Sequence, residues 1–143
     1  ISLSIISIIK LVNYSKYCME NETYLEHFKY IRINAGLEKQ INIVDKYINK
    51  NSKNVLIMDA TAGVYMIPIN RYNKDYDMLL KGNLGSKDED GIIDNLKKMD
   101  NTVLLIMSDN KSRNWQNPEK VRQYIKCKWN KTGSIECFDI YEK

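Results

Sequence analysis

Two stretches decide the fold: NVLIMDATAGVYMIP at residues 54–68 and TVLLIMSDN at residues 102–110. Each opens with an unbroken apolar run, Val55 to Met58 and Thr102 to Met107, and each run is followed closely by an aspartate. A run without polar alternation reads as a strand buried on both faces, the habit of parallel sheets covered by helices on either side.

Helical patterns surround both runs. Leu37, Ile41, Val44 and Ile48 recur every three to four residues, with Glu38, Lys39, Asp45 and Lys46 opposite, predicting a helix over 37–49. TAGVYMIP reads as a short helix with Thr61 as cap and Pro68 as stop. Ile92, Ile93 and Leu96 predict a helix over 90–99. Asn117-Pro118-Glu119 is a helix start, because Asn caps and Pro suits the first helical position. Val121, Tyr124 and Ile125 give that helix its buried face, and Gly133 is placed to end it. Residues 76–80 (YDMLL) read as a weaker strand. Residues 135–141 read as a last strand near an edge, possible in antiparallel pairing since apolar and charged residues alternate there.

The order helix, strand, helix, strand, helix, strand predicts an α/β domain. The expected form is a small three-layer, Rossmann-like domain with a mostly parallel sheet of three to four strands, preceded by an N-terminal helix. At 143 residues the chain has the length of one domain.

The opening ISLSIISIIKLV is apolar around nearly its whole helical circumference, and Lys10, Tyr14, Lys16 and Tyr17 follow. An apolar run giving way to lysine and aromatic residues is how a membrane helix leaves hydrocarbon for the interface. Residues 1–13 are therefore expected to be the end of a transmembrane helix. Residues 14–35 are expected to form a juxtamembrane helical connection, and residues 36–143 a soluble α/β domain.

Composition excludes more than it assigns. Twenty-two Lys and Arg against eighteen Asp and Glu give a net charge of +4, spread evenly, so no nucleic-acid partner is expected. The three cysteines (Cys18, Cys127, Cys137) show no metal spacing, and read best as small buried apolar residues. A bridge between Cys127 and Cys137 is geometrically conceivable. His27, the single histidine, lies far in sequence from the strands, which speaks against a His-based triad. DEDG at 88–91 lacks the alternating oxygens of a calcium loop. No glycine-rich turn follows the first strand, as a nucleotide cofactor would need. No catalytic residue, cofactor or metal is therefore assigned.

In open α/β sheets ligands sit beyond the carboxyl ends of the strands. That places Asp59 and Asp109 at one crevice, with Arg113 and Trp115 following. Tyr65, Arg71, Tyr72 and Tyr76 make a dense aromatic–basic segment of the kind that suits sugars. The binding candidates are Asp59, Tyr65, Arg71, Asp77, Lys81, Asp109, Arg113 and Trp115.

NVLIMDATAGVYMIPINRYNKDYDMLLKGNLG (54–85), NWQNPEKVRQYIK (114–126) and FDIYEK (138–143) together resemble the C-terminal soluble domain of clostridial-type multi-spanning membrane proteins. These are described as glycosyltransferase-like or polysaccharide-assembly proteins. The resemblance covers residues 35–143. It implies an accessory domain at the cell membrane, its soluble part extracytoplasmic, that handles lipid-linked sugar or cell-envelope glycan and is non-catalytic in this fragment. It supplies no catalytic residue. The alternative is a soluble α/β ligand- or nucleotide-binding domain.

Overall fold

A computed structural model describes residues 2–25, 28–73, 76, 79–112 and 117–143, with residues 2–6, 17–25 and 28–32 described by their backbone alone. Helix α1 (Ser2–Asn21) leads into a hairpin of β1 (Glu22–Leu25) and β2 (Phe28–Asn34). The domain proper follows as α2 (Ala35–Lys50), β3 (Asn54–Ile57), α3 (Ala62–Met66), a 3-10 turn (Ile67–Ile69), α4 (Asp88–Lys98), β4 (Thr102–Met107), α5 (Glu119–Lys128), β5 (Asn130–Ile135) and β6 (Phe138–Glu142).

The two apolar runs are the parallel pair of a four-stranded sheet ordered β3-β4-β6-β5. Alternate side chains divide between its faces. Val55, Ile57, Val103, Leu105 and Met107 pack with Ile41, Val44 and Ile48 of α2 and with Ala62, Tyr65 and Met66 of α3. Leu56, Met58, Leu104 and Ile106 pack with Ile92 and Leu96 of α4 and with Val121 and Ile125 of α5. The fold is thus α/β, with helices on both faces of the sheet.

The sheet itself is mixed rather than mostly parallel. β4 pairs with β6 antiparallel, and β6 pairs with β5 antiparallel, so one strand pair of three is parallel. The cause is a tight turn at Glu136-Cys137, which splits residues 130–142 into a hairpin where a single strand over 135–141 was expected. Glu136 adopts φ +52°, the left-handed conformation that such a turn requires at its first central position. β6 lies inside the sheet and β5 takes the edge, so the closing strand is not the edge strand its alternation suggested. α5 ends at Lys128, and Gly133 sits within β5, beside the register shift between Lys131 and Gly133.

Three other expectations change. The connection expected over 14–35 is helical only as far as Asn21, where α1 ends and the β1–β2 hairpin follows. No strand forms at Tyr76 or at Leu79 and Leu80, yet Tyr76 and Leu79 are buried beneath α4 and α5. Thr61 precedes α3 without a side-chain capping bond.

The outer edge of β3 is closed at Ile57 by a side chain. Asn73 is fully buried, and its Oδ1 accepts from the Ile57 amide at 2.7 Å. Its Nδ2 donates to the Ile57 carbonyl at 2.7 Å and to the Tyr76 carbonyl at 3.0 Å. One carboxamide thus stands in for a neighbouring strand on an edge that would otherwise offer bare donors and acceptors.

On the opposite face of the sheet, α4 and α5 are joined by a carboxylate. Glu89 is buried, and its Oε2 accepts from the Val121 amide at 3.0 Å, capping the first turn of α5 from the neighbouring helix.

Replacing Asn73 with Ala leaves the Ile57 amide and carbonyl buried without partners. A loss of about 2–4 kcal/mol in urea-denaturation stability is expected. A loss below about 0.5 kcal/mol, within the range of ordinary surface substitutions, would show that β3 does not depend on this lock.

Candidate functional site

Both apolar strands end in polar turns at the same end of the sheet. Asp59, just past β3, is 2% exposed. Its Oδ1 accepts from the Thr61 amide at 2.9 Å and the Thr61 hydroxyl at 2.7 Å, a local turn that carries the chain into α3. The Ala60 amide next to it donates to Asn117 Oδ1 at 3.4 Å, and Asn117 Nδ2 donates to Ser112 Oγ at 2.6 Å. Asn117 therefore ties the turn after β3 to the approach to α5 instead of capping that helix.

Arg122, in the first turns of α5, lies between the two strand ends. Its Nη2 donates to the Met107 carbonyl and to Asp109 Oδ1, each at 2.9 Å. Its Nη1 stands 3.8 Å from Asp59 Oδ2. That pair is ionic without a hydrogen bond, and neither atom has a hydrogen-bond partner among the described residues. Lys126, one turn further along α5, donates to both Asp109 oxygens at 2.7 Å. Those donors, Lys126 first and Arg122 second, hold the Asp109 carboxyl below the usual carboxylate range.

A cavity of about 240 Å³ opens beside this cluster, lined by Asp109, Asn117, Glu119, Arg122, Gln123 and Lys126. The buried Arg122 guanidinium and the exposed Asp109–Lys126 pair both line it. Such a wall offers directed N–H donors to an oxyanion. The Asp109 carboxylate is engaged by two cations, and Glu119 is the other carboxylate on the wall. Among the described residues, no group of three or more His, Cys, Asp or Glu could hold a metal ion.

The structure brings Asp59 and Asp109 together on Arg122 and separates the other described candidates from them. Tyr65 is buried on the α2–α3 face, its hydroxyl 3.3 Å from both Gln40 Oε1 and Cys137 Sγ. Its ring meets Phe138 edge-on, centroids 4.9 Å apart. Burial, then the contact with Cys137, pushes the Tyr65 phenol well above its ordinary value. Tyr65 is a core residue, not a sugar platform.

The aromatic–basic segment likewise divides. Tyr76 is buried, while Tyr72 is 83% exposed. Arg71 is exposed and donates from Nη2 to Asn49 Oδ1, near the end of α2 that feeds the amino end of β3. It thus lies at the opposite end of the strand from Asp59. Lys81 is exposed in the polar loop before α4. Asp77, Arg113, Trp115 and His27 lie outside the described residues.

Cys127 and Cys137 are free thiols, exposed on α5 and buried on the α2–α3 face respectively. The sheet stands between them, so the conceivable bridge does not form. Burial raises the Cys137 thiol above its ordinary value, which keeps it protonated at neutral pH.

Arg122 and Lys126 are the residues that reading the sequence missed. The signal was there: Arg and Lys four apart place two cations on one helical face. That face starts one turn after a helix-initiating Asn-Pro. Asn117 was seen as a cap and instead bonds to the turn after β3, and Glu89, in the acidic first turn of α4, also reaches the Val121 amide of α5.

Compared with known protein families, with curated proteins and with solved structures, the chain matches none.

Two predictions test the cluster. Arg122→Met leaves the Asp59 carboxylate buried without its counter-charge and is expected to cost about 3–5 kcal/mol in chemical denaturation. Adding Asp59→Asn to that variant should restore part of the loss, and a double variant no more stable than Arg122→Met would refute the pairing. For Asp109, a folded-state pKa below the unfolded one means its stabilisation is complete above the ordinary carboxylate value of about 4. It is lost as pH falls further through the folded pKa. The melting-temperature gap between wild type and Asp109→Asn should therefore close below about pH 4, and a gap independent of pH would contradict the assignment.

Proposed function

We propose that this chain is an accessory, non-catalytic α/β module of a bacterial membrane protein of cell-envelope glycan assembly, carried at the bilayer by α1. The observation that supports the attachment is the surface of that helix. Every residue from 7 to 16 is exposed, among them Ile8, Ile9, Val12 and Tyr14, with Leu11 at 71%. Ten consecutive helical residues cover the whole circumference. A helix belonging to a globular core hides one stripe, and this stretch hides none. Exposed apolar surface of this kind marks contact with a membrane or a partner. Lys10, Tyr14 and Lys16 stand where an interface would hold them.

No helix among the described residues is long and apolar enough to cross a membrane. In this reading the apolar half of α1 enters the lipid, as the end of a span, and the hairpin β1–β2 follows outside it. The glycan assignment rests on the motif resemblance at residues 54–85, 114–126 and 138–143. The non-catalytic assignment rests on the same resemblance, which supplies no catalytic residue.

Flotation of the full 143-residue chain with vesicles of phosphatidylcholine and a minority of phosphatidylglycerol tests the attachment. The wild-type chain is expected to rise with the vesicles, and Leu11→Asp/Val12→Asp to remain below. The melting temperature should be the same for both, since these side chains are exposed. A wild-type chain that stays below as a monomer would refute attachment through α1.

A further inference from the structure

The cluster beyond β3 and β4 contains one carboxylate that the buried part of the site does not need. Arg122 is nine-tenths buried, and a buried guanidinium requires a counter-charge. Asp59 supplies it from the interior, and the Met107 carbonyl fixes the orientation of the fork. Asp109 approaches from the other side, its side chain 71% exposed. Its two oxygens receive one bond from Arg122 and two from Lys126, at 2.7–2.9 Å. A free oxyanion would be held by the same donors in the same way.

We propose that the cavity beside Asp109 is a binding site for the phosphate group of a small soluble ligand, with Arg122 and Lys126 as donors and Asp109 as the built-in carboxylate that yields them. Asp109 turns out to solvent at small cost, because an exposed ion pair is weak and water rehydrates it. Arg122 stays in place, because Asp59 and Met107 hold it. The amino end of α5 is not the anchor, since the Val121 amide is already taken by Glu89.

The walls also set a selectivity. Glu119 lines the same cavity and opposes any anion, while accepting a long bond of 3.4 Å from Gln123. Net charge therefore does not draw the ligand in, and directed N–H bonds must. Phosphate, with oxygens pointing in several directions and a charge near −2, gathers more of these bonds than a carboxylate with two. The remaining polar wall, Asn117 and Gln123, faces whatever the phosphate carries. This site is independent of the attachment through α1.

Isothermal titration of the full chain with inorganic phosphate, at ionic strength held constant with chloride, tests the proposal. Asp109→Asn removes the competing carboxylate and is expected to bind phosphate about five- to tenfold more tightly than wild type. Lys126→Ala is expected to lose the binding. Both positions are exposed, so both variants fold. Glycerol 1-phosphate should bind at least as well as inorganic phosphate, and acetate more weakly. The proposal is overturned if Asp109→Asn binds no more tightly than wild type, or if Lys126→Ala binds equally well. It is overturned too if acetate matches phosphate, or if binding occurs only on vesicles carrying phosphatidate. None of these outcomes bears on flotation, which reads α1 alone.

Discussion

The structure depends on two short strands, β3 and β4, that are apolar on both faces. Leu56, Ile57, Leu104, Leu105 and Ile106 are each almost completely buried, and each such side chain stabilises the fold by about 1.5–3 kcal/mol. That gain exists only if both faces are covered. Everything near the pair follows from this demand. α2 and α3 close one face, and α4 and α5 close the other. Backbone groups at the strand margins must also be satisfied away from water. β6 does this beside β4, and the Asn73 carboxamide does it beside β3.

The same demand produces the site. A strand buried on both faces has to return to water at its carboxyl end, and here each does so at an aspartate. Asp59 emerges too early, still under α5, so its charge stays buried and needs Arg122. Asp109 emerges in solvent, two residues past the end of β4, and needs nothing. One guanidinium serves both carboxylates, with one nitrogen directed at each. The unequal environments of the two aspartates, not their shared presence, are what give the crevice its chemistry: a fixed inner charge and an exchangeable outer one.

The legible parts of this architecture were those where periodicity is strong. Both apolar strands and helices α2, α4 and α5 could be read to within a few residues, because their patterns run over several turns or are unbroken. The hairpin β5–β6 could not. Its turn is Glu136-Cys137 rather than an Asn-Gly or Asp-Gly pair, so the residue types that announce a tight turn are missing, and the left-handed Glu136 carries no sequence mark. Missing that turn turned a mixed sheet into a mostly parallel one. Asn73 was hidden for a different reason. In a segment dense with Asn, Lys and Tyr, a single buried carboxamide looks like its exposed neighbours, and only the position of the β3 edge distinguishes it. Arg122 was hidden because a helix's apolar stripe attracts attention to Val121 and Ile125, and the charged residue beside them looks like solvent-facing filler. Of the aspartates, the strand ends alone brought Asp59 and Asp109 together.

Two surfaces of the chain therefore do different physical work. Most of the domain's large apolar side chains lie inside it, on either face of the sheet, with Val64, Ile67 and Tyr72 exposed, while Ile8, Ile9, Leu11 and Val12 of α1 lie outside together. Since α1's exposed side chains contribute little to the domain's core, their apolar character is not accounted for by folding stability. A soluble helix of that composition would gain solubility, and lose no packing, by exchanging those side chains for polar ones. What keeps them apolar must lie outside the domain's own core, and a lipid interface meets that requirement with the lysine and tyrosine order seen at residues 10–16. The crevice answers to a separate constraint, the burial of Asp59, and would persist whatever α1 contacts. The proposed attachment and the proposed phosphate site thus rest on independent energetic terms, and a change in one need not disturb the other.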